Sequence, residues 1–117
     1  MQKIRFVTQQ VIRLLHSQTR RYIELPRNLL VIHIGKANER IPIDVDLSSF
    51  PNSDMVSRYQ AEIRREGNIY FIEDMRSAKG TYLNQKRLAL GHRYRLNSGD
   101  EISFGKGDLV SFFFGLF

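Results

Sequence analysis

Cysteine is absent from the 117 residues. The chain therefore has no disulfide framework, no thiolate nucleophile and no cysteine-ligated zinc or iron–sulfur site. Long apolar runs are absent too: none reaches the roughly 20 residues that a membrane-spanning helix requires. Behind Met1-Gln2-Lys3-Ile4-Arg5-Phe6, residues Gln9, Gln10 and Arg13 interrupt any apolar stretch, so neither a signal peptide nor a membrane anchor is expected. There is no internal repeat, no linker composition and no low-complexity tract. What remains is 42% apolar and 26% charged, the make-up of an ordinary globular domain with a single core. A cytoplasmic location is expected, and the lack of cysteine is compatible with it.

The formal net charge is +6, and it is unevenly spread. Residues 1–40 hold eight Lys/Arg against Glu24 and Glu39, whereas residues 41–57 hold Asp44, Asp46 and Asp54 with no base but the closing segment is nearly balanced. A basic domain of this size favours polyanions: nucleic acid, an anionic membrane, or phosphorylated and acidic protein segments.

Short apolar stretches separated by turn residues read as β-structure. Strands are expected at Val11–Leu15, Arg21–Leu25 and Leu29–Ile34. A half-buried strand is expected where Ile41, Ile43, Val45 and Leu47 alternate with Pro42, Asp44 and Asp46. Further strands are expected at Tyr59–Ile63, Ile69–Asp74, Thr81–Leu83, Arg93–Leu96, Glu101–Phe104 and Leu109–Phe114, with Gly67-Asn68, Asn97-Ser98-Gly99-Asp100 and Gly105-Lys106-Gly107-Asp108 as punctuation. Ile4, Val7, Val11, Leu14 and Leu15 also fit a helical period, but a strand from Val11 is the expectation. Residues 1–10 are read as an N-terminal extension and 11–117 as the domain. The apolar ending, Leu109 to Phe117, is read as a central strand buried on both faces, with a partner-binding tail at Leu116 and Phe117 as the alternative. Strands this short and this numerous specify an all-β, mostly antiparallel, two-sheet sandwich or a barrel.

Catalytic and metal motifs fail on inspection. Gly99 to Gly105 followed by Lys106 looks like a phosphate loop, but the glycine spacing is one residue too long and Gly107 stands where Ser or Thr should. No helix follows to supply N-terminal amides. His16, His33 and His92 lack metal-ligand spacing, and His33 within an apolar run reads as a hydrogen-bonded core residue. Asp44 and Asp46 share one side of a strand without the rest of a calcium loop, so they read as a solvated face. No nucleophile and base stand in register, and neither an enzyme nor a cofactor is expected.

Four segments, in order, carry a positive signal: Ile34-Gly35-Lys36; Val56-Ser57-Arg58-Tyr59-Gln60-Ala61-Glu62-Ile63; Ile72 to Asn84, with Asp74, Ser77, Gly80 and Thr81; and Leu96-Asn97-Ser98-Gly99-Asp100-Glu101-Ile102-Ser103-Phe104-Gly105. Physically, Lys36 and Arg58 belong to loops at strand ends, where a rigid scaffold usually carries its recognition residues. Ser57 beside Arg58 offers a hydroxyl and a guanidinium fork, a set that suits a phosphate dianion. Each charge-assisted hydrogen bond so made contributes roughly 1.5–3 kcal/mol.

The four segments together resemble the forkhead-associated (FHA) domain, a phosphothreonine-peptide-binding β-sandwich. The resemblance runs from about residue 21 to 114. It implies a phosphopeptide-recognition module whose partner is a phosphorylated protein. Ser57 would bond a phosphate oxygen, Arg58 would contact the phosphate or orient its loop, and Lys36 would supply a point charge where the family has Arg. Ala78 and Lys79 would lie beside the peptide. Gly35, Gln60, Gly80, Thr81 and Asn84 would support the site, Asn84 by holding a turn. Gln60 stands in place of the family's usual His, Ala78 in place of a frequent Thr or Ser, and Lys79 in place of an Asn that fastens the peptide backbone. Two other readings compete: an FHA-like scaffold that binds without phosphate, and a basic barrel gripping single-stranded nucleic acid through Arg20-Arg21-Tyr22 and Arg93-Tyr94-Arg95.

Overall fold

The structure, a computed structural model, describes residues 11–116. The expected extension at 1–10 lies outside the described residues, as does Phe117. In strand β1 (Ile12–His16) residues Ile12, Leu14 and His16 are buried while Arg13 and Leu15 are half-buried. The period is two, so the strand reading of this segment holds over the helical one. Ten more strands follow among the described residues: β2 (Tyr22–Glu24), β3 (Val31–Gly35), β4 (Val45–Asp46), β5 (Tyr59–Glu66), β6 (Ile69–Asp74), β7 (Thr81–Leu83), β8 (Lys86–Arg87), β9 (Tyr94–Leu96), β10 (Glu101–Phe104) and β11 (Ser111–Leu116). One turn of 3₁₀ helix spans Ser53–Met55.

The strands form a six-stranded sheet, β2-β1-β11-β10-β7-β8, and a five-stranded sheet, β4-β3-β5-β6-β9. All described pairings are antiparallel except β3 with β4. The architecture is the expected all-β sandwich. Inward side chains of the first sheet (Leu14, Ile102, Phe104, Phe112, Phe114) and of the second (Ile32, Ile34, Ile63, Ile72) join one core cluster. Full burial of each contributes about 1.5–3 kcal/mol. That scaffold holds at one end the loops after β3, before β5 and between β6 and β7.

Four expectations need correction. First, Ile41–Leu47 alternates in burial, yet only Val45–Asp46 is strand. Pro42 has no N–H to offer a ladder, and the Asp44 carboxylate accepts the His33 N–H at 2.8 Å. Asp44 and Asp46 are thus more than a solvated face: Asp46 accepts from the Ala37 N–H at 3.1 Å and the Ser48 N–H at 3.0 Å. Second, His33 is not in the core. It lies on the outer face of β3 with its side chain 30% exposed, near Asp44 and Glu62. Third, the last strand is Ser111–Leu116, central between β1 and β10 but open on one face, with Phe113 38% exposed. Leu116 pairs with Ile12 inside that strand and is no tail. The Gly105–Asp108 turn runs longer than its residues suggest and delays the strand by two positions. Fourth, β8 has no counterpart in the sequence reading. Two charged residues show no alternation, and the hairpin is made by Asn84 and Gln85, both at positive φ (50° and 69°), the conformation of a two-residue primed turn.

Candidate phosphopeptide site

Three loops meet at one end of the sandwich, and a close backbone approach starts the site. A Cβ built on Gly35 would lie 2.0 Å from the Arg58 carbonyl oxygen, so only glycine fits there. The next residue uses that proximity: the Lys36 N–H donates to the Arg58 carbonyl at 3.1 Å. The end of β3 and the segment entering β5 are thereby stapled together.

Gln60 ties this pair to the third loop. It is fully buried, where an unpaired amide is costly, and its polar atoms are satisfied. Its Oε1 accepts the Ser57 N–H at 2.9 Å, and its Nε2 donates to the Gly80 carbonyl and to Thr81 Oγ1, both at 3.0 Å. Thr81 Oγ1 in turn donates to Asp74 Oδ1 at 2.6 Å. Asp74, 5% exposed, also accepts from the Ser77 hydroxyl at 2.5 Å and the Ser77 N–H at 3.2 Å. The Gly80 carbonyl takes a further bond from the Gly105 N–H at 2.8 Å, fixing the loop to the end of β10. Gly80 itself is at φ +84°.

Above this buried network, the Ala78 N–H donates to Ser57 Oγ at 2.9 Å. Ser57 accepts there, so its hydroxyl proton remains available to an outside acceptor. Lys36 is half-buried, while Arg58, Ala78 and Lys79 are exposed. Among the described residues no carboxylate lies within ion-pair distance of Lys36, Arg58 or Lys79. The arrangement offers an anion one hydroxyl donor and a rim of uncompensated cations.

The structure thus gathers Gly35, Lys36, Ser57, Arg58, Gln60, Ala78, Lys79, Gly80 and Thr81. Asn84 does hold a turn, but at the far end of β7: its Nδ2 donates to Asp100 Oδ1 at 3.1 Å and its Oδ1 accepts the Glu101 N–H at 2.9 Å. Four positions given no site role from sequence matter here. Asp74 and Ser77 shape the β6–β7 loop, and the signal for them is the Asp-x-x-Ser spacing before Gly80-Thr81. Asn38 shapes the loop after β3: its Nδ2 donates to the Lys36 carbonyl, and its Oδ1 accepts the Arg40 and Ile41 N–H groups at 2.9 and 2.8 Å. Asp46 braces the same loop, and the Ser48 hydroxyl bonded to it holds its carboxyl below the ordinary carboxylate range.

Comparisons with known proteins agree with this fold. The FHA domain profile matches residues 32–105. The chain is 57% identical over 104 residues to Protein FraH of Nostoc sp., covering 89% of this chain and 36% of FraH, so it spans about a third of that relative's length. The structure superposes on Mycobacterium tuberculosis EmbR, solved with a low-affinity phosphopeptide, with TM-score 0.70 and 28% identity over 92% of this chain and 24% of that one. It matches the N-terminal FHA domain of Saccharomyces cerevisiae Rad53p, solved with a phosphothreonine peptide, with TM-score 0.71 and 22% identity, covering 92% and 94% of the two chains. Among the described residues no helix is long and apolar enough to cross a membrane. The chain belongs to the FHA domain family, whose members serve as interaction modules.

Proposed function

We propose that this chain is a non-enzymatic module that recognises a phosphothreonine-containing segment of a partner protein, working in the cytoplasm, with residues 11–117 as the domain and 1–10 as an extension. In this reading Ser57 donates to a phosphate oxygen, Lys36 and Arg58 face the phosphate charge, and the Ala78–Lys79 loop lies along the peptide. The observation that carries it is the Ser57–Ala78 hydrogen bond at 2.9 Å, which joins two loops beneath a rim of unpaired cations. A phosphate monoester brings close to two charges and three acceptor oxygens to such a rim.

Titration calorimetry with a phosphothreonine peptide library and its unmodified counterpart tests the reading. The phosphorylated peptides should bind more tightly, and Ser57→Ala and Arg58→Ala should each weaken them with little change in melting temperature. Equal affinity for modified and unmodified peptides would sink it. The phosphate-independent scaffold would then be favoured, since Ala78 and Lys79 depart from the family's usual residues. Nucleic-acid binding through Arg93-Tyr94-Arg95 has less support. The Tyr94 hydroxyl accepts the Ala89 N–H at 3.0 Å, and Arg93 lies 3.3 Å from Glu66 and 3.7 Å from Glu73. Tyr94 is half-buried with its hydroxyl engaged, and Arg93 is already paired with carboxylates, so neither is freely presented to a strand.

A further inference from the structure

The sulfur of this chain is confined to three methionines, and two of them, Met55 and Met75, stand in the connections that build the proposed site. Met55 closes the 3₁₀ turn just ahead of Val56-Ser57. Its side chain is half-buried and packs against the core. A Cβ built on Gly105 would lie 2.5 Å from Met55 Cε and 3.7 Å from both Met55 Cβ and Lys79 Cβ. Met55 is therefore folded over Gly105, with the root of Lys79 beside it. Gly105 is the residue whose N–H fixes the Gly80 carbonyl, at 2.8 Å. One thioether thus fills the joint between the segment carrying Ser57, the end of β10 and the loop carrying Lys79.

That joint suits an apolar side chain. The backbone donors around it are committed: the Met55 N–H to the Asn52 carbonyl and the Val56 N–H to the Ser53 carbonyl, both at 3.0 Å, the Ser57 N–H to Gln60 and the Gly105 N–H to Gly80. An oxygen added to the Met55 sulfur would find none of them open, and a polar atom without a partner is costly there. It would either draw the Lys79 ammonium off the rim or carry the side chain away from Gly105 into water. Both outcomes change the spacing of Ser57 and the Ala78–Lys79 loop.

We infer that Met55 is an oxidation site through which a peroxide switches the phosphopeptide site off. The inference rests on the phosphopeptide reading above and adds regulation to it. A lone pair of the thioether sulfur attacks one oxygen of hydrogen peroxide. The S–O bond forms, the O–O bond breaks, and proton transfer releases water. Sulfur loses an electron pair to the peroxide, and the product is the sulfoxide, a polar side chain that methionine sulfoxide reductases convert back. Met75 gives the contrast. It is also half-buried, but it lines a surface cleft with Arg76 and Leu90, where a sulfoxide oxygen meets water.

The full chain is treated with hydrogen peroxide, which is then removed, and peptide mapping by mass spectrometry gives the sulfoxide fraction at Met55 and Met75. Calorimetry gives the affinity for a sulfur-free phosphothreonine peptide before and after treatment, on wild type, Met55→Leu and Met75→Leu. Wild type and Met75→Leu should lose roughly fivefold or more in affinity, in step with the sulfoxide at Met55. Treatment with both stereospecific reductases should restore it. Met55→Leu conserves the volume without the sulfur, so its affinity, whatever the starting value, should not move. Melting temperatures follow the fold at each step. Unchanged affinity with Met55 oxidised overturns the switch and leaves the phosphopeptide reading intact. So does a Met55 that stays reduced while Met75 oxidises, or a chain that unfolds on oxidation. A loss that persists in Met55→Leu also overturns it. No preference for the phosphorylated peptide over its unmodified form before treatment overturns both.

Discussion

Gln60 shows how one buried side chain decides the geometry of an exposed site. Its amide reaches Ser57 on one side and Gly80 and Thr81 on the other, so both loops inherit their spacing from it. Gln60→Leu keeps the volume and removes all three bonds, leaving the Ser57 N–H and the Gly80 carbonyl without that partner. Each buried polar group left unsatisfied costs about 1–3 kcal/mol. We expect a clear drop in the melting temperature and a larger loss of phosphopeptide affinity than the stability loss alone accounts for, read by thermal unfolding and calorimetry on the same samples. Gln60→His, which restores the residue usual in the family, should recover part of both. His16 makes the complementary case. Its ring is fully buried against Phe50 and Phe112, at centroid distances of 4.9 and 5.0 Å. Nδ1 accepts the Thr19 N–H at 3.1 Å, and Nε2 finds no partner among the described residues. Burial first, and the nearby Arg21 charge second, push its pKa below the ordinary value of 6.5. As pH falls through about 6.5 the unfolded chain therefore takes up a proton that the folded chain refuses, and stability falls. Urea midpoints measured from pH 7.5 down to 5.5 should decline, and His16→Gln should flatten that slope; the slope and not the absolute stability is the readout.

At the scale of elements, strands with an alternating inward face were legible and those made by turns or side chains were not. Ile69–Asp74, Thr81–Leu83 and Glu101–Phe104 fall where the sequence puts them, because short stretches with apolar residues sit there between clear turn signals. Lys86–Arg87 is a strand only because Asn84 and Gln85 turn the chain back, and two exposed charged residues carry no periodic signature. Ile41–Leu47 errs the other way: the alternation is real but Pro42 and the Asp44 carboxylate deny it a ladder. His33 fails for the reason that an apolar run does not say which of its residues face out. The site follows the same division. Ser57, Arg58 and Lys36 are visible as a residue pattern, whereas Asn38 and Asp46 act through local bonds to backbone amides, and such bonds leave a weak trace in sequence. The β6–β7 loop is where element and function meet. Lys79 can donate but not accept, so it does not reproduce the two-way pairing of an asparagine. We expect Ala78→Thr with Lys79→Asn to raise the preference for phosphothreonine over phosphoserine. Two neutral hydrogen bonds at roughly 0.5–1.5 kcal/mol each allow a gain of about five- to 150-fold in affinity. Losing the Lys79 charge works against total affinity, so the ratio of the two phosphopeptides is the cleaner measurement. An unchanged ratio would mean that the loop does not touch the peptide.

For the whole molecule, two pH responses should coexist and run in the same direction, and their physical origins differ. One belongs to the ligand. A phosphate monoester takes up its second proton near pH 6, so dianion recognition weakens as pH falls from about 7 to 5. The other belongs to the fold, through His16 in the core, and it removes folded domain rather than affinity per folded domain. Thermal unfolding at each pH gives the folded fraction, and calorimetry at the same pH gives the affinity, so the two can be separated in one series. His16→Gln should abolish the decline in stability and leave the decline in affinity where it was. A peptide carrying glutamate in place of phosphothreonine should show the reverse: much weaker binding, and little pH dependence over that range, because its single charge titrates near pH 4.3. A wild-type affinity that stays flat from pH 7 to 5, with the domain still folded, would mean that the rim of cations at Ser57 reads something other than a dianion.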